Sequence, residues 1–164
     1  MCEAPKLPLK HYEDTPAFKV YMLDQAILRT MAELPPEAVI AKGDLLKEFK
    51  GAMAENFVLG SLLAQGFNSP HYWAQTGKRA EVNFLIQDGI EIRPIEVKAE
   101  DNITGQSLKV YQDKYSPTIR LRLSMKNMKV NCNIINIPLF MCDWLKEILS
   151  LPQVKDFNKN GQNS

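Results

Sequence analysis

A chain of 164 residues and 18.6 kDa has the size of one ordinary domain and leaves little room for a second hydrophobic core. Apolar residues make up 45% and charged residues 24%, too apolar for a disordered chain. The 20 Lys and Arg against 19 Asp and Glu give a net charge of +1, which excludes a general polyanion coat and requires any polyanion site to be local.

No window approaches the roughly 18 consecutive apolar residues that would cross a bilayer. The N-terminus, Met1-Cys2-Glu3-Ala4-Pro5, lacks the basic-then-apolar layout of a signal peptide, so a cytoplasmic protein with no membrane partner is expected. Cys2, Cys132 and Cys142 form no CxxC pair and are odd in number, which reads as reduced thiols. His11 and His71 stand apart, with no Cys, Asp or Glu at ligand spacing, and read as ordinary hydrogen-bonded side chains.

In chain order, residues 1–16 carry Pro5, Pro8 and Pro16 and read as an extended lead-in. Phe18, Val20 and Met22 alternate with Lys19 and Tyr21, the pattern of a half-buried strand. Asp24 then caps a short helix with Ile27, Leu28 and Met31 on one face, closed by Pro35-Pro36. Helical spacing returns from Asp44 to Ala64, through Leu45, Leu46, Phe49, Ala54, Val58 and Leu62. Gly51 is a candidate break and Gly66 a C-terminal stop. Strands are expected at His71–Trp73, Ala80–Gln87 and Ile90–Lys98, the last two joined by a turn at Asp88-Gly89. Leu108, Tyr111 and Tyr115 form a helical stripe whose spacing favours packing in the core over stacking on bases. Ile119, Leu121 and Leu123 alternate with Arg120 and Arg122, and Val130–Ile137 reads as a strand ended by Pro138. Trp144, Leu145, Ile148 and Leu149 give a last amphipathic helix before Pro152. The tail 155–164 reads as disordered, leaving 1–154 as a single domain. The expected fold is α/β, or α+β, with a mixed sheet flanked by helices.

A two-residue turn at Asp88-Gly89 would set Glu81 opposite Glu96, Asn83 opposite Pro94 and Arg79 opposite Lys98, all on one face of the hairpin. Val82, Phe84, Ile86, Ile95 and Val97 would form the apolar face. Two glutamates directly opposed are unfavourable unless Arg79 and Lys98, or a metal, compensate. Glu55 lies within the apolar stripe of Val58, Leu59 and Leu62, so this acid needs a partner. It either closes the rim of the stripe or points at the sheet face of Glu96 and Lys98.

Glu55, then Glu81-Val82-Asn83-Phe84, then Pro94-Ile95-Glu96-Val97-Lys98 resemble the pattern of the PD-(D/E)XK nuclease superfamily. More closely, the chain resembles the nuclease-like domain of unknown function at the C-terminal end of many AAA-type ATPases. That resemblance runs from Pro8-Leu9 through Phe18–Asp24, Gly51–Val58, Tyr72-Trp73, the hairpin, Ser107-Leu108 and Arg120–Ser124 to Ile137-Pro138-Leu139. It implies a restriction-endonuclease-like core and an ancestral phosphodiester chemistry. Such a site would use Mg²⁺ or Mn²⁺, with Glu96 as ligand, Lys98 orienting water and Glu55 assisting. A hard divalent ion prefers oxygen ligands, polarises the phosphate and acidifies the attacking water.

Two departures qualify that implication. Asn83 stands where the family usually has Asp, offering a neutral oxygen in place of a charge, with Glu81 two residues away as an accessory ligand. The expected site is therefore degenerate, and Glu96 with Lys98 also fits a buried ion pair retained for fold specificity. Nor does the chain contain a P-loop: Gly77-Lys78 lacks the upstream glycine and is followed by Arg79, so no ATP site is expected. An ATPase region would have to be supplied elsewhere, the chain being either a piece of a longer polypeptide or a free-standing product. Between Lys109 and Lys129, the basic residues Lys109, Lys114, Arg120, Arg122, Lys126 and Lys129 face one acid, Asp113, a candidate phosphate-tracking strip or a solvated face. The expected function is a nucleic-acid-binding or regulatory module, with an active metal-dependent DNA endonuclease and a protein-interaction domain as the alternatives.

Overall fold

The computed structural model describes residues 1–2, 4–35, 37, 47–75, 80–99 and 106–154. Arg79, the Gly77-Lys78 pair, the expected helix start at Asp44 and the tail 155–164 lie outside these residues. Among the described residues the chain forms helices α1 (Gln25–Met31), α2 (Lys47–Ala64), α3 (Gln106–Tyr115) and α4 (Leu145–Ser150). The strands are β1 (His71–Ala74), β2 (Glu81–Asp88), β3 (Glu91–Lys98), β4 (Arg120–Ser124), β5 (Lys129–Asn131) and β6 (Ile134–Pro138). They make one six-stranded mixed sheet in the order β1-β2-β3-β4-β6-β5. β3, β4 and β6 run parallel, and the other pairings are antiparallel. Parallel neighbours cannot be joined by a tight turn, and α3 supplies the crossover from β3 to β4. No helix is long and apolar enough to cross a membrane.

The sheet separates two cores. On one face α2, α4 and the 3₁₀ turn Leu139–Trp144 cover Phe84, Ile86, Ile95, Val97, Leu121, Leu123, Ile135 and Ile137. On the other, α3 and the N-terminal residues Cys2 and Leu9 enclose Trp73, Val82, Leu85, Leu108 and Tyr111. Each fully buried Leu or Ile contributes about 1.5–3 kcal/mol relative to exposure, so the alternation along β4 is what fixes its register.

Helix α2 runs unbroken through Gly51, because one glycine costs only about 1 kcal/mol in a helix that its Val58–Leu62 face anchors to the core. It stops at Gly66, whose φ of +83° lets the Phe67 N–H donate back to the Leu62 carbonyl at 3.0 Å.

Several sequence expectations are corrected. The hairpin ladder pairs Asp88 with Glu91 and Phe84 with Ile95, so the turn residues are Gly89-Ile90 and not Asp88-Gly89. Gly89 has φ +62° and Ile90 does not share the positive sign, which suits a primed turn with glycine at its first central position. This register sets Pro94 against Leu85, and Glu81 no longer opposes Glu96. The expected strand at Phe18–Met22 is extended but joins no ladder. Val130–Ile137 is two antiparallel strands, β5 and β6, turned at Cys132, whose φ is +49°. Helix α1 is capped by the Asp24 side chain, which accepts from the Ala26 N–H at 2.6 Å, yet none of its residues is buried and its Ile27 and Met31 are exposed. Trp144, expected on the buried face of the last helix, is also exposed.

Candidate functional site

β2 carries one residue more than β1 where they pair: His71 faces Leu85, but Trp73 faces Val82. This bulge breaks the alternation of β2. Val82 and Leu85 both belong to the α3 side, Phe84 to the α2 side, and Asn83 joins Phe84 beneath α2. β3 has no such break, so Ile95 and Val97 face α2 while Glu96 faces α3.

The sequence-derived site is thereby divided between the two faces. Under α2, Asn83 donates its Nδ2 to Glu55 Oε1 at 2.7 Å and accepts the Val97 N–H on Oδ1 at 2.8 Å. The Val97 donor requires the oxygen on its side, which fixes the amide orientation and points the NH₂ at the carboxylate. Glu55, which the sequence left between two readings, is therefore partnered on this face and does not reach Glu96. Lys19 Nζ lies 3.5 Å from Glu55 Oε2 and also pairs with Glu81. The Tyr21 hydroxyl donates to Glu55 Oε2 at 3.3 Å, and the Lys19 ammonium stands 5.0 Å from the Tyr72 ring centre. Burial pulls the Lys19 ammonium down, but its hydrogen bond to Glu81 and the charges of Glu55 and Glu81 more than offset this, leaving its pKa above 10.5. Burial, followed by the Glu55 charge, holds the Tyr21 phenol well above its ordinary value and so keeps it a proton donor.

Across the sheet Glu96 is only 1% exposed. Its Oε2 accepts from Arg122 Nε at 3.0 Å, while Oε1 lies 3.7 Å from Lys98 Nζ without a hydrogen bond. Parallel pairing of Glu96 with Arg122 sets these side chains together, so the carboxylate sits between two cations.

Four of the six residues of the expected basic strip have definite places. Arg120 donates to Asn133 Oδ1 and to the Leu108 carbonyl, and burial, then Arg122, lowers its pKa. Arg122 is spent on Glu96, and Lys114 lies over the Trp73 and Tyr115 rings. Lys126 is exposed, and its backbone is fixed by Ser124 Oγ and Asn136. Lys109 is exposed on α3 and Lys129 on β5. Arg120 and Arg122 are thus engaged inside the protein, while Lys109, Lys126 and Lys129 are exposed. Tyr111 is buried in edge-on contact with Trp73, as its helical spacing with Leu108 implied.

Sequence reading missed Lys19, Tyr21 and the role of Arg122. Phe18 and Val20 were expected to face inward, but they are 73% and 79% exposed, while Lys19 and Tyr21 turn in. The available signal was Glu55: an acid in an apolar stripe demands a cation, and Lys19 is the charge flanked by apolar neighbours in the next extended segment. Two cavities flank the segment. One of about 590 Å³ is lined by Lys19, Tyr21, Leu28, Gly51, Ala52 and Glu55, and one of about 200 Å³ by Lys19, Tyr21, Leu59, Tyr72, Asn83 and Phe84.

A hard divalent ion takes oxygen ligands and negative charge. Here Glu55 and Glu81 already hold Lys19, Asn83 presents an NH₂ group, and Glu96 stands on the other face beside two cations. This donor set does not fit Mg²⁺ or Mn²⁺. Among the described residues no group of three or more His, Cys, Asp or Glu is placed to hold a metal ion.

No curated protein and no solved structure matches the chain. Residues 50–140, more than half of the chain and spanning α2, the hairpin, α3, β4 and β6, match one family, and on that match the protein belongs to the family described as Domain of unknown function (DUF4143).

Proposed function

We propose that this domain is a nuclease-like module that regulates by binding rather than by cutting, associated with an AAA-type ATPase supplied elsewhere. The resemblance of its ordered motifs to the C-terminal domains of such ATPases supports the family setting, and a mixed sheet flanked by helices is compatible with a restriction-endonuclease-like core. The observation that carries the non-cleaving reading is Asn83. Both ends of its amide are used inside the protein, and its NH₂ fills the place beside Glu55 that a bridging cation would need. The Lys19 ammonium supplies the remaining positive charge. Glu55 and Lys19 therefore act as structural partners that hold the N-terminal segment to α2, and Glu96 with Arg122 and Lys98 ties β3 to β4.

Regulation by protein docking is favoured over nucleic-acid binding because Arg120 and Arg122 are consumed internally, while Phe18, Val20, Leu23 and Met31 present apolar surface. The test incubates supercoiled and single-stranded DNA with the domain and Mg²⁺ or Mn²⁺, comparing wild type, Asn83→Asp and Glu96→Ala. No cleavage by wild type is expected. Wild-type cleavage lost in Glu96→Ala overturns the reading and restores the endonuclease. DNA binding that falls steeply with salt, without cleavage, replaces docking by a nucleic-acid-binding module.

A further inference from the structure

Residues 17–22 lie across the α2 face without joining the sheet, and side chains supply most of their anchoring. The Met22 N–H donates to Asn56 Oδ1 at 2.8 Å, Lys19 reaches Glu55 and Glu81, and Tyr21 reaches Glu55 while packing 6.0 Å from the Phe84 ring. At its start, the terminal ammonium of Met1 donates to the Ala17 carbonyl at 2.7 Å. The outward residues Phe18 and Val20 are largely exposed. Both cavities beside the segment have Lys19 and Tyr21 as a shared wall, so the space on each side of it is open.

We infer that this segment is a displaceable occupant of a peptide-recognition groove between α2 and the β1–β2 edge. Lifted away, it would join the two cavities into one groove. The groove's walls would be the acids Glu55 and Glu81, the Tyr72 and Phe84 rings, and the bare stretch at Gly51-Ala52. The chemistry of the present occupant defines the partner: an extended segment with a cation and, two residues on, an aromatic ring carrying a hydrogen-bond donor. Such a segment reproduces the contacts of Lys19 and Tyr21 and competes for them. The intact chain resists because its own segment is tethered, with an effective concentration on the order of millimolar. This inference does not depend on whether the domain cuts nucleic acid.

The experiment has two arms on the full chain. In the first, exchange of the Met22 amide, whose N–H is bonded to Asn56 Oδ1, is followed as the readout of the segment in wild type, Lys19→Met and Lys19→Arg, with the Leu121–Leu123 amides as the reference for the sheet. Exchange of the segment about tenfold faster in Lys19→Met, recovered by Lys19→Arg and with the sheet unchanged, is the expected result. Unaltered exchange of the segment overturns the proposal, as does equal loosening of the sheet. In the second arm, a labelled peptide with the sequence of residues 17–23 is titrated by fluorescence anisotropy into wild type and Lys19→Ala/Tyr21→Ala. At least tenfold tighter binding to the double variant is expected, and it should be lost when the peptide carries Lys19→Glu. Equal binding to both chains, or none to the variant, overturns it.

Discussion

Asn83 joins three elements through one amide, and its chemistry sets what a substitution there would do. Asn83→Asp puts a second carboxylate 2.7 Å from Glu55 and removes the NH₂ donor, so a loss of about 1–3 kcal/mol in urea unfolding at pH 7 is expected. An equal loss in Asn83→Leu, which removes the donor without adding a charge, would show that Coulomb repulsion is not the cause. Arg122→Ala is expected to be more damaging, about 3–5 kcal/mol, because it leaves the buried Glu96 with Lys98 as its only cation in direct contact among the described residues. Thermal melts of Arg122→Ala and Arg122→Ala/Glu96→Leu separate the two contributions: the double variant recovers stability if the uncompensated charge is responsible. Part of this was legible from the sequence, since Glu55 in an apolar stripe announced a partnered acid, whereas the E-x-K spacing pointed to Lys98 and the hydrogen-bonded partner of Glu96 is Arg122. Their groupings were not, because which acid meets which cation depends on one bulge that no local pattern reveals.

Among the elements, α2 and the hairpin were readable because their apolar periods agree with their burial, whereas the segment at 17–22 and α1 were not. The period-two pattern at Phe18–Met22 signals an extended chain but is silent on which side turns inward, and here the polar side does because Glu55 and Glu81 wait there. Helix α1 has an apolar stripe, yet buries nothing among the described residues, so its capping carries an unusual share of its order. Asp24→Ala removes the bond to the Ala26 N–H and should raise amide exchange across 25–31 by about tenfold, corresponding to the 0.5–2 kcal/mol of a lost N-cap. Global melting should stay the same, and a lowered Tm would mean that α1 is coupled to the core. Gly89→Ala forces a side chain into φ +62° and is expected to cost about 1–2 kcal/mol in chemical denaturation, since the hairpin register rests on that turn. An unchanged midpoint would mean that the ladder alone sets the register.

For the whole molecule, the acid limb of stability should be shaped by His71. Burial lowers its pKa below 6.5, against a weaker opposing pull from Glu13, whose Oε1 is 3.7 Å from Nε2. A lowered histidine pKa favours the unfolded state once that state takes up the proton first. Stability is thus unaffected above about pH 6.5 and declines below it, until the folded His71 also protonates. His71→Gln should flatten the decline between pH 7 and 5 in urea titrations, and an unchanged slope would assign it to other groups. The class of fold was legible from composition and alternation, because a strand with two apolar faces and a crossover helix admits few arrangements. Strand order and the division into two cores were not, being properties of pairs distant in the chain. The extra residue in β2 then acquires a larger meaning. Because of it, the strand offers α2 two consecutive side chains, the Asn83 amide and the Phe84 ring, while Val82 and Leu85 both stay on the α3 side; deleting either middle residue would restore strict alternation without moving Glu81 or the flanking residues to another face. One codon therefore decides whether the neighbouring helix meets both the amide that ties Glu55 to the Val97 N–H and the ring that packs under Tyr21, or just one of them.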